Sequence, residues 1–282
     1  MIYFILYKLG EFLACSLPLK AAYKVAIFFS DFRFIYARED RRNVLENLKV
    51  IFPEKSEAEI RAIRRAMFRN FAKYLVDFFR FVKMDRNFIH SKITTEGTDS
   101  FDRALKNNNG VIVLTAHIGN WELGGVVIAM LGYPLWVVAL PHKNKMVNDF
   151  FDGRRKDKNI NVIPFGKAAR QCLSLLKENK MIALVGDRDF SHERGQVTEL
   201  FGKQVYLPKG PAALALKTGA MIVPGFMIRN SDDTFTLKIE EAVPIAQENG
   251  LEEAINRYKI VLEDYIRKYP EQWFMFKKFW IE

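Results

Sequence analysis

Cysteine is nearly absent: two residues in 282, Cys15 and Cys172, with no C-x-x-C pair. That excludes a disulfide-stapled framework and a cysteine-built zinc knuckle, and leaves two ordinary thiols. Glycine-rich phosphate loops of the P-loop and dinucleotide types are missing, as is the G-x-S-x-G elbow of an α/β-hydrolase. There is no low-complexity linker, no internal repeat and no motif of a nucleic-acid-binding module. No apolar run reaches the ~20 residues that cross a bilayer: the opening MIYFILYKLGEFLACSLPLKAAYKVAIFFSDF is interrupted by Lys8 and Glu11 and split by Pro18. It also reads poorly as a secretory signal, lacking a basic start and a small-residue cleavage site. Acidic residues are in deficit, 33 against 43 Lys plus Arg, a formal net charge of +10.

What is present is ample for a core, with 49% hydrophobic residues, 24 of them phenylalanine. A surface of this charge favours an anionic partner, and with no nucleic-acid motif the expected partner is acidic lipid or a phosphorylated carrier. Residues 1–35 read as two short helices lying in a membrane interface. A single strained span and a pair simply packed on the body are the alternatives. From Ser56, which with Glu59 makes a capping box, Ile60, Ile63, Met67, Phe71, Tyr74, Leu75, Phe78 and Phe79 recur at helical spacing. The opposite face carries Arg61, Arg64, Arg65, Arg69 and Lys73, which fits either a solvated face or a membrane contact.

Beyond this helix, short apolar runs alternate with helical stretches. Strands are expected at 110–116, 134–140, 161–165, 181–186, 221–228 and 234–240. Helices are expected at 121–131, through Asn148 and Phe151, and at 168–177, 209–218 and 251–269. The alternation predicts an α/β fold, a central mixed, mostly parallel sheet flanked by helices. The economical division is an N-terminal apolar helical membrane anchor over residues 1–35 and one α/β domain over 36–282.

In open α/β sheets, ligands bind beyond the carboxyl ends of the strands. VIVLTAHIGNWELGG puts His117 there, followed by Gly119, which allows a sharp turn, and by Glu122 at the start of a helix. A turn of this kind can fold Glu122 onto the imidazole, fixing one ring nitrogen as N–H and leaving the other as a base. A hydrogen-bonded structural histidine has the same spacing. A second strand end carries VGDRDFSHERG, with Asp187, Asp189 and His192. His117, Glu122, Asp187 and Asp189 are all possible metal ligands, but no ligand spacing is recognisable. Asp187 is expected to position a basic residue or a substrate hydroxyl, and His192 to sit in an exposed loop. Arg154 and Arg155 could bind phosphate or an oxyanion. Gly210 opens a helix and could contact an anion or carbonyl, and Asn120 joins the substrate-contact candidates.

AHIGNWE matches the H-x4-D/E motif of the glycerolipid acyltransferase superfamily. The whole chain resembles, more narrowly, the bacterial lipid A late acyltransferases, the lauroyl and myristoyl transferases of lipopolysaccharide synthesis. NVLENLKVIFPEKS, AHIGNWE, GDRD, FGKQVYLPKGPAALALKTGAMIVPGF and PEQWFMFKKFW resemble that family's blocks, in order, over roughly residues 30 to 280. The resemblance implies a glycerolipid-acyltransferase-like domain and acyl transfer with no cofactor and no metal. It makes His117 the general base with Glu122 its partner, Asp187 a functional aspartate, and one of Arg154 and Arg155, Arg155 being favoured, the functional arginine. The donor would be an acyl carrier protein or coenzyme A thioester and the acceptor a glycolipid, foremost a lipid A precursor. The place would be the cytoplasmic face of the inner membrane. Transfer to another lysolipid or a phosphatidylinositol mannoside, acyl-thioester hydrolysis, and lipid binding without catalysis are the competing expectations.

Overall fold

The computed structural model describes residues 2–281, apart from Lys143, residues 190–194, Ala246, Gln247 and Asn249. Two helices open the chain, α1 (Ile2–Ser16) and α2 (Leu19–Tyr36), separated where Pro18 cannot continue the first. α3 (Arg38–Ile51) and α4 (Glu57–Phe79) follow, and the expected capping box of Ser56 and Glu59 starts α4. Then come α5 (Arg86–Lys92), β1 (Ile93–Glu96), α6 (Asp99–Leu105), β2 (Val111–Thr115), α7 (Trp121–Met130), β3 (Leu135–Ala139), α8 (Lys145–Lys156) and β4 (Asn161–Pro164). The chain continues through α9 (Ala168–Lys177), β5 (Met181–Val185), β6 (Gln196–Leu200), β7 (Lys203–Leu207), α10 (Gly210–Thr218), β8 (Met221–Arg229), β9 (Phe235–Ile239) and α11 (Leu251–Lys268).

Seven strands form one sheet in the order β1-β9-β8-β2-β5-β3-β4, and β6 and β7 form a separate hairpin. Every neighbouring pair in the large sheet is parallel except β8 with β9, the mixed, mostly parallel arrangement the sequence predicts. Alternation along the central strands divides the interior in two. Ile112 and Leu114 of β2 and Phe226 of β8 join one core with α3, α9, α10 and α11. Val111, Val113 and Met227 join the other with α6, α7, α8 and the N-terminal helices. α4 serves both: Ile60, Met67 and Tyr74 pack into the first core, Val76, Phe78 and Phe79 into the second.

The N-terminal helices lie against α4 and α8. Asp31 of α2 takes bidentate hydrogen bonds from both Arg65 and Arg69, which hold its carboxyl well below the usual carboxylate range. Lys73 reaches Asp233 at 2.7 Å. Much of the expected basic face of α4 is therefore an internal tie. Among the described residues no helix is long and apolar enough to cross a membrane, so the span weighed from sequence has no helix to carry it. What the hairpin does have is an exposed apolar surface, with Ile5, Leu6, Phe12, Phe28, Phe32 and Ile35 all more than half exposed. Between α1, α2 and α4 lies an apolar groove of about 260 Å³, lined by Leu13, Val25, Phe29, Phe71, Leu75 and Phe79 among others.

Candidate active site

The register of β2 on β5 pairs Thr115 with Val185. Two residues further along each parallel strand stand His117 and Asp187, so the pairing that builds the sheet brings them side by side. Gly186 N–H donates to the Thr115 carbonyl at 2.8 Å and prolongs the ladder to the site. A Cβ at Gly186 would come within 2.5 Å of the Leu114 side-chain end, which would have to shift to admit it.

Asp187 is fully buried. Its Oδ1 lies 2.9 Å from His117 Nδ1, and its Oδ2 accepts from the His117 backbone N–H at 3.1 Å and from the Trp273 indole N–H at 2.9 Å. Burial alone would raise the Asp187 pKa; the His117 charge and the hydrogen bonds from His117 and Trp273 outweigh it and hold the pKa below the ordinary value. An ionised carboxylate only accepts, so His117 Nδ1 carries the hydrogen and Nε2 is the basic nitrogen. The His117 side chain is 19% exposed, enough for one ring edge to meet a substrate.

The sequence assigned the orienting carboxylate to Glu122, and here the structure corrects it. Glu122 lies in the first turn of α7, where the helix directs it towards α8 rather than along the strand ends. Both its oxygens are taken by Arg155, Nη2 to Oε1 at 2.5 Å and Nε to Oε2 at 3.0 Å. Arg155 Nη1 also reaches Asp152 at 3.1 Å. Burial would weaken Arg155's hold on its proton, but the Glu122 charge and hydrogen bond overcome that and raise its pKa. The neighbouring Arg154 points elsewhere, to Glu11 of α1 and Asp157. His142, after β3, lies tilted against the Phe151 ring at 4.4 Å, and burial with the Arg155 charge lowers its pKa.

The loop between β2 and α7 is locked from two sides. Gly119 has φ +62°, and a Cβ there would fall 2.0 Å from the Met227 carbonyl oxygen, so only glycine fits. Gly119 N–H donates to the Gln272 carbonyl at 2.9 Å, and Phe274 N–H to the His117 carbonyl at 2.8 Å. Asn120, 1% exposed, caps α7 by accepting from Leu123 N–H at 3.1 Å and donates to Asp77 at 3.1 Å. Its described contacts build the loop, where the sequence reading expected a substrate contact. Behind it, buried Asp77 also meets Arg229 and the Tyr23 hydroxyl.

Asp189 lies with its carboxylate against Gly195, and His192 falls outside the described residues. Gly210 opens α10, which packs on α9 and α11; no hydrogen bond joins it to the His117 group among the described residues. Nor do those residues gather three or more His, Cys, Asp or Glu side chains at metal-binding distance. Sequence reasoning missed Trp273 and Asp77. Trp273 gave no signal of its own within PEQW, while Asp77 stood as a lone carboxylate in the apolar run LVDFF.

This arrangement, an imidazole oriented by a buried carboxylate at the strand ends, meets an independent finding. The family model of the bacterial lipid A biosynthesis acyltransferases matches residues 1–282. The chain belongs to that family. It is 29% identical to a phosphatidylinositol mannoside acyltransferase of Mycolicibacterium smegmatis over 57% of this chain and 54% of that one. It is 24% identical to the lipid A biosynthesis palmitoleoyltransferase of Escherichia coli over 81% of this chain and 74% of that one. A lipid A biosynthesis acyltransferase of Haemophilus influenzae is 19% identical over 84% and 74%. The chain spans about half the length of the mannoside acyltransferases it matches.

Proposed function

We propose that this protein transfers a fatty acyl chain from a thioester, of acyl carrier protein or coenzyme A, to a hydroxyl of a glycolipid at the inner-membrane surface facing the cytoplasm. The observation that carries the reading is the His117–Asp187 pair, tied by Trp273, at the ends of two adjacent parallel strands. His117 Nε2 takes the proton of the acceptor hydroxyl. The oxygen attacks the thioester carbonyl, the tetrahedral oxyanion collapses, and the thiolate leaves with the proton returned from His117. Asp187 stabilises the imidazolium between these steps. Arg155, held in place by Glu122, is the cation available for the oxyanion or for a phosphate of donor or acceptor. This gives Glu122 a positioning role through Arg155.

The apolar groove suits a fatty chain, each buried methylene contributing about 0.8 kcal/mol. Phe71 of its lining leads towards the site by ring contacts through Tyr74 at 5.7 Å, Trp121 at 4.5 Å from Tyr74, and His117 at 5.1 Å from Trp121. The exposed apolar faces of α1 and α2 support attachment in the membrane interface rather than across it. The family and its relatives support a glycolipid acceptor, a lipid A precursor first and a phosphatidylinositol mannoside second.

The test is transfer of labelled acyl chain from each thioester to a panel of glycolipids, by the wild type and by His117→Ala. Transfer that falls on the order of 10³-fold in the variant is the expected result. Acyl release to water at a rate indifferent to acceptor would replace the transferase with a thioesterase, and equal transfer by both proteins would remove His117 from the chemistry.

A further inference from the structure

Two arginines meet on one aromatic ring where α2, α3 and α4 come together. The Arg41 guanidinium carbon lies 5.4 Å from the centre of the Phe34 ring, and that of Arg64 lies 5.8 Å from it. Arg64 Nη1 donates to the Arg41 backbone carbonyl at 3.1 Å, which holds the two side chains together. The Nε atoms of both are sealed from solvent with no hydrogen-bond partner. The carboxylates nearby are already engaged: Asp31 by Arg65 and Arg69, Asp40 by Arg33, and Glu46 by Arg42. Glu57 is the one acid that acts on Arg64, and it has Lys49 at 3.9 Å. Burial, then the Arg41 and Arg61 charges, push the Arg64 pKa down.

Like charges gathered on a ring repel one another until an anion arrives. The planar fork of arginine takes two oxygens of a phosphate or a carboxylate at once, and at a membrane surface the anion on offer is the headgroup phosphate. Phe34 belongs to α2, whose Phe32, Ile35 and Tyr36 are 56%, 59% and 69% exposed. Phe34 itself packs on Phe68 of α4 at 5.1 Å, so the arginines sit on the α4 side of the same final turn of α2 whose other side carries the exposed apolar residues, within a helix width of the face that would meet headgroup phosphates.

We propose that Arg41 and Arg64, with Arg61 beside them, form a binding site for the phosphate of an anionic lipid headgroup. The site is separate from the transfer centre: ten residues of α4, about 15 Å of helix, separate Arg64 from Tyr74, the residue stacked on Trp121 beside His117. It orients the enzyme on an anionic surface instead of supplying the acceptor. The inference rests on the membrane attachment proposed above.

The experiment measures binding of the full chain to vesicles of phosphatidylcholine alone and of phosphatidylcholine with phosphatidylglycerol, at one ionic strength. Wild type should bind both, and the anionic vesicles more tightly. Arg41→Gln/Arg64→Gln should lose about thirtyfold on anionic vesicles, about 1 kcal/mol per arginine, with no change on neutral ones. Its melting temperature should not fall, since a repulsion has been removed, and Arg41→Lys/Arg64→Lys should recover part of the loss. Equal binding of the Gln variant and wild type to anionic vesicles would overturn the site while leaving membrane attachment standing. Failure of wild type to bind any vesicle would overturn both. A melting shift by inorganic phosphate in wild type alone, without a vesicle difference, would reassign the site to a soluble anion. Lost binding of acidic acyl carrier protein, with vesicle binding intact, would reassign it to a protein partner.

Discussion

Asp77 and Asp187 are both wholly out of solvent, and they flank the same loop, yet they keep different company. Asp77 is met by Arg229, by the Tyr23 hydroxyl at 2.5 Å and by Asn120. Asp187 is met by the imidazole and backbone of His117 and by the Trp273 indole. Arginine stays charged at every working pH, so Asp77 is neutralised permanently and its network behaves as a joint. Asp187 meets an imidazole, and in the transfer proposed above its counter-charge is the imidazolium formed when His117 takes the acceptor's proton. A buried carboxylate with a fixed counter-charge is architecture; one beside an imidazole is equipped for proton transfer. The fold places the first directly behind the second, through Asn120, so the rigid network supports the working one.

The largest expected effect separates the two. Asp77→Ala leaves Arg229 buried and unpaired, and should cost roughly 3–5 kcal/mol of stability, read by chemical denaturation. Asp77→Ala/Arg229→Met should recover a good part of that loss. If Asp77→Ala instead unfolds at the wild-type midpoint while transfer collapses, the comparison is broken and Asp77 belongs to the chemistry.

Asp187→Asn is next. It keeps the shape but removes the charge that fixes the Nδ1–H tautomer and the imidazolium, so kcat should fall by roughly 10²-fold or more with KM little changed. The pH dependence sharpens this. The folded-state pKa of Asp187 lies below the ~3.9 of an unfolded aspartate. Its stabilising contribution is therefore present above that unfolded value and lost as pH falls through the lower folded one. The acid limb of the melting curve against pH should flatten in Asp187→Asn; an unchanged limb would deny the link.

Trp273→Phe should be smallest. Asp187 Oδ2 keeps the His117 backbone donor and loses the indole, one charged hydrogen bond of about 1.5 kcal/mol, so kcat should drop about tenfold. Fluorine NMR of a labelled Trp273 should report titration of the pair in the wild type. A Trp273→Phe enzyme with full kcat would make the indole a packing residue.

Much of the sheet was legible. The apolar runs at 111–115, 181–185 and 221–229 had the length and β-branched content of buried parallel strands, and the helices between them had the expected period. β1 escaped because three of its four residues, Thr94, Thr95 and Glu96, are exposed and carry no apolar pattern. The β6–β7 hairpin was read only as part of a family block, although Phe201 and Gly202, both at positive φ, mark a tight turn. α3 carries no capping signal at its start, and Pro53 separates it from α4.

The candidate site was legible as a set of residue types and illegible as a set of partners. His117, Glu122, Arg155 and Asp187 were all singled out, but spacing suggested His117 with Glu122, because five residues of chain is the separation a sequence makes visible. Seventy residues part His117 from Asp187 and 86 part Asp187 from Trp273, and no local periodicity reports such distances.

Local chemistry alone therefore determined the strand and helix types, the strand-end position of His117, the turn that Gly119 allows after it, the capping box of α4 and the broken apolar segment at the start. These depend on rotamers, backbone dihedrals and hydrophobic period, which act over a few residues. Which carboxylate orients the imidazole, which arginine Glu122 holds, how the 270–275 segment locks the loop between β2 and α7, and which partners the α4 arginines meet were decided only by tertiary structure. Those outcomes follow from strand order and register, since hydrogen bonding between parallel strands joins residues whose separation along the chain carries no signal of their contact.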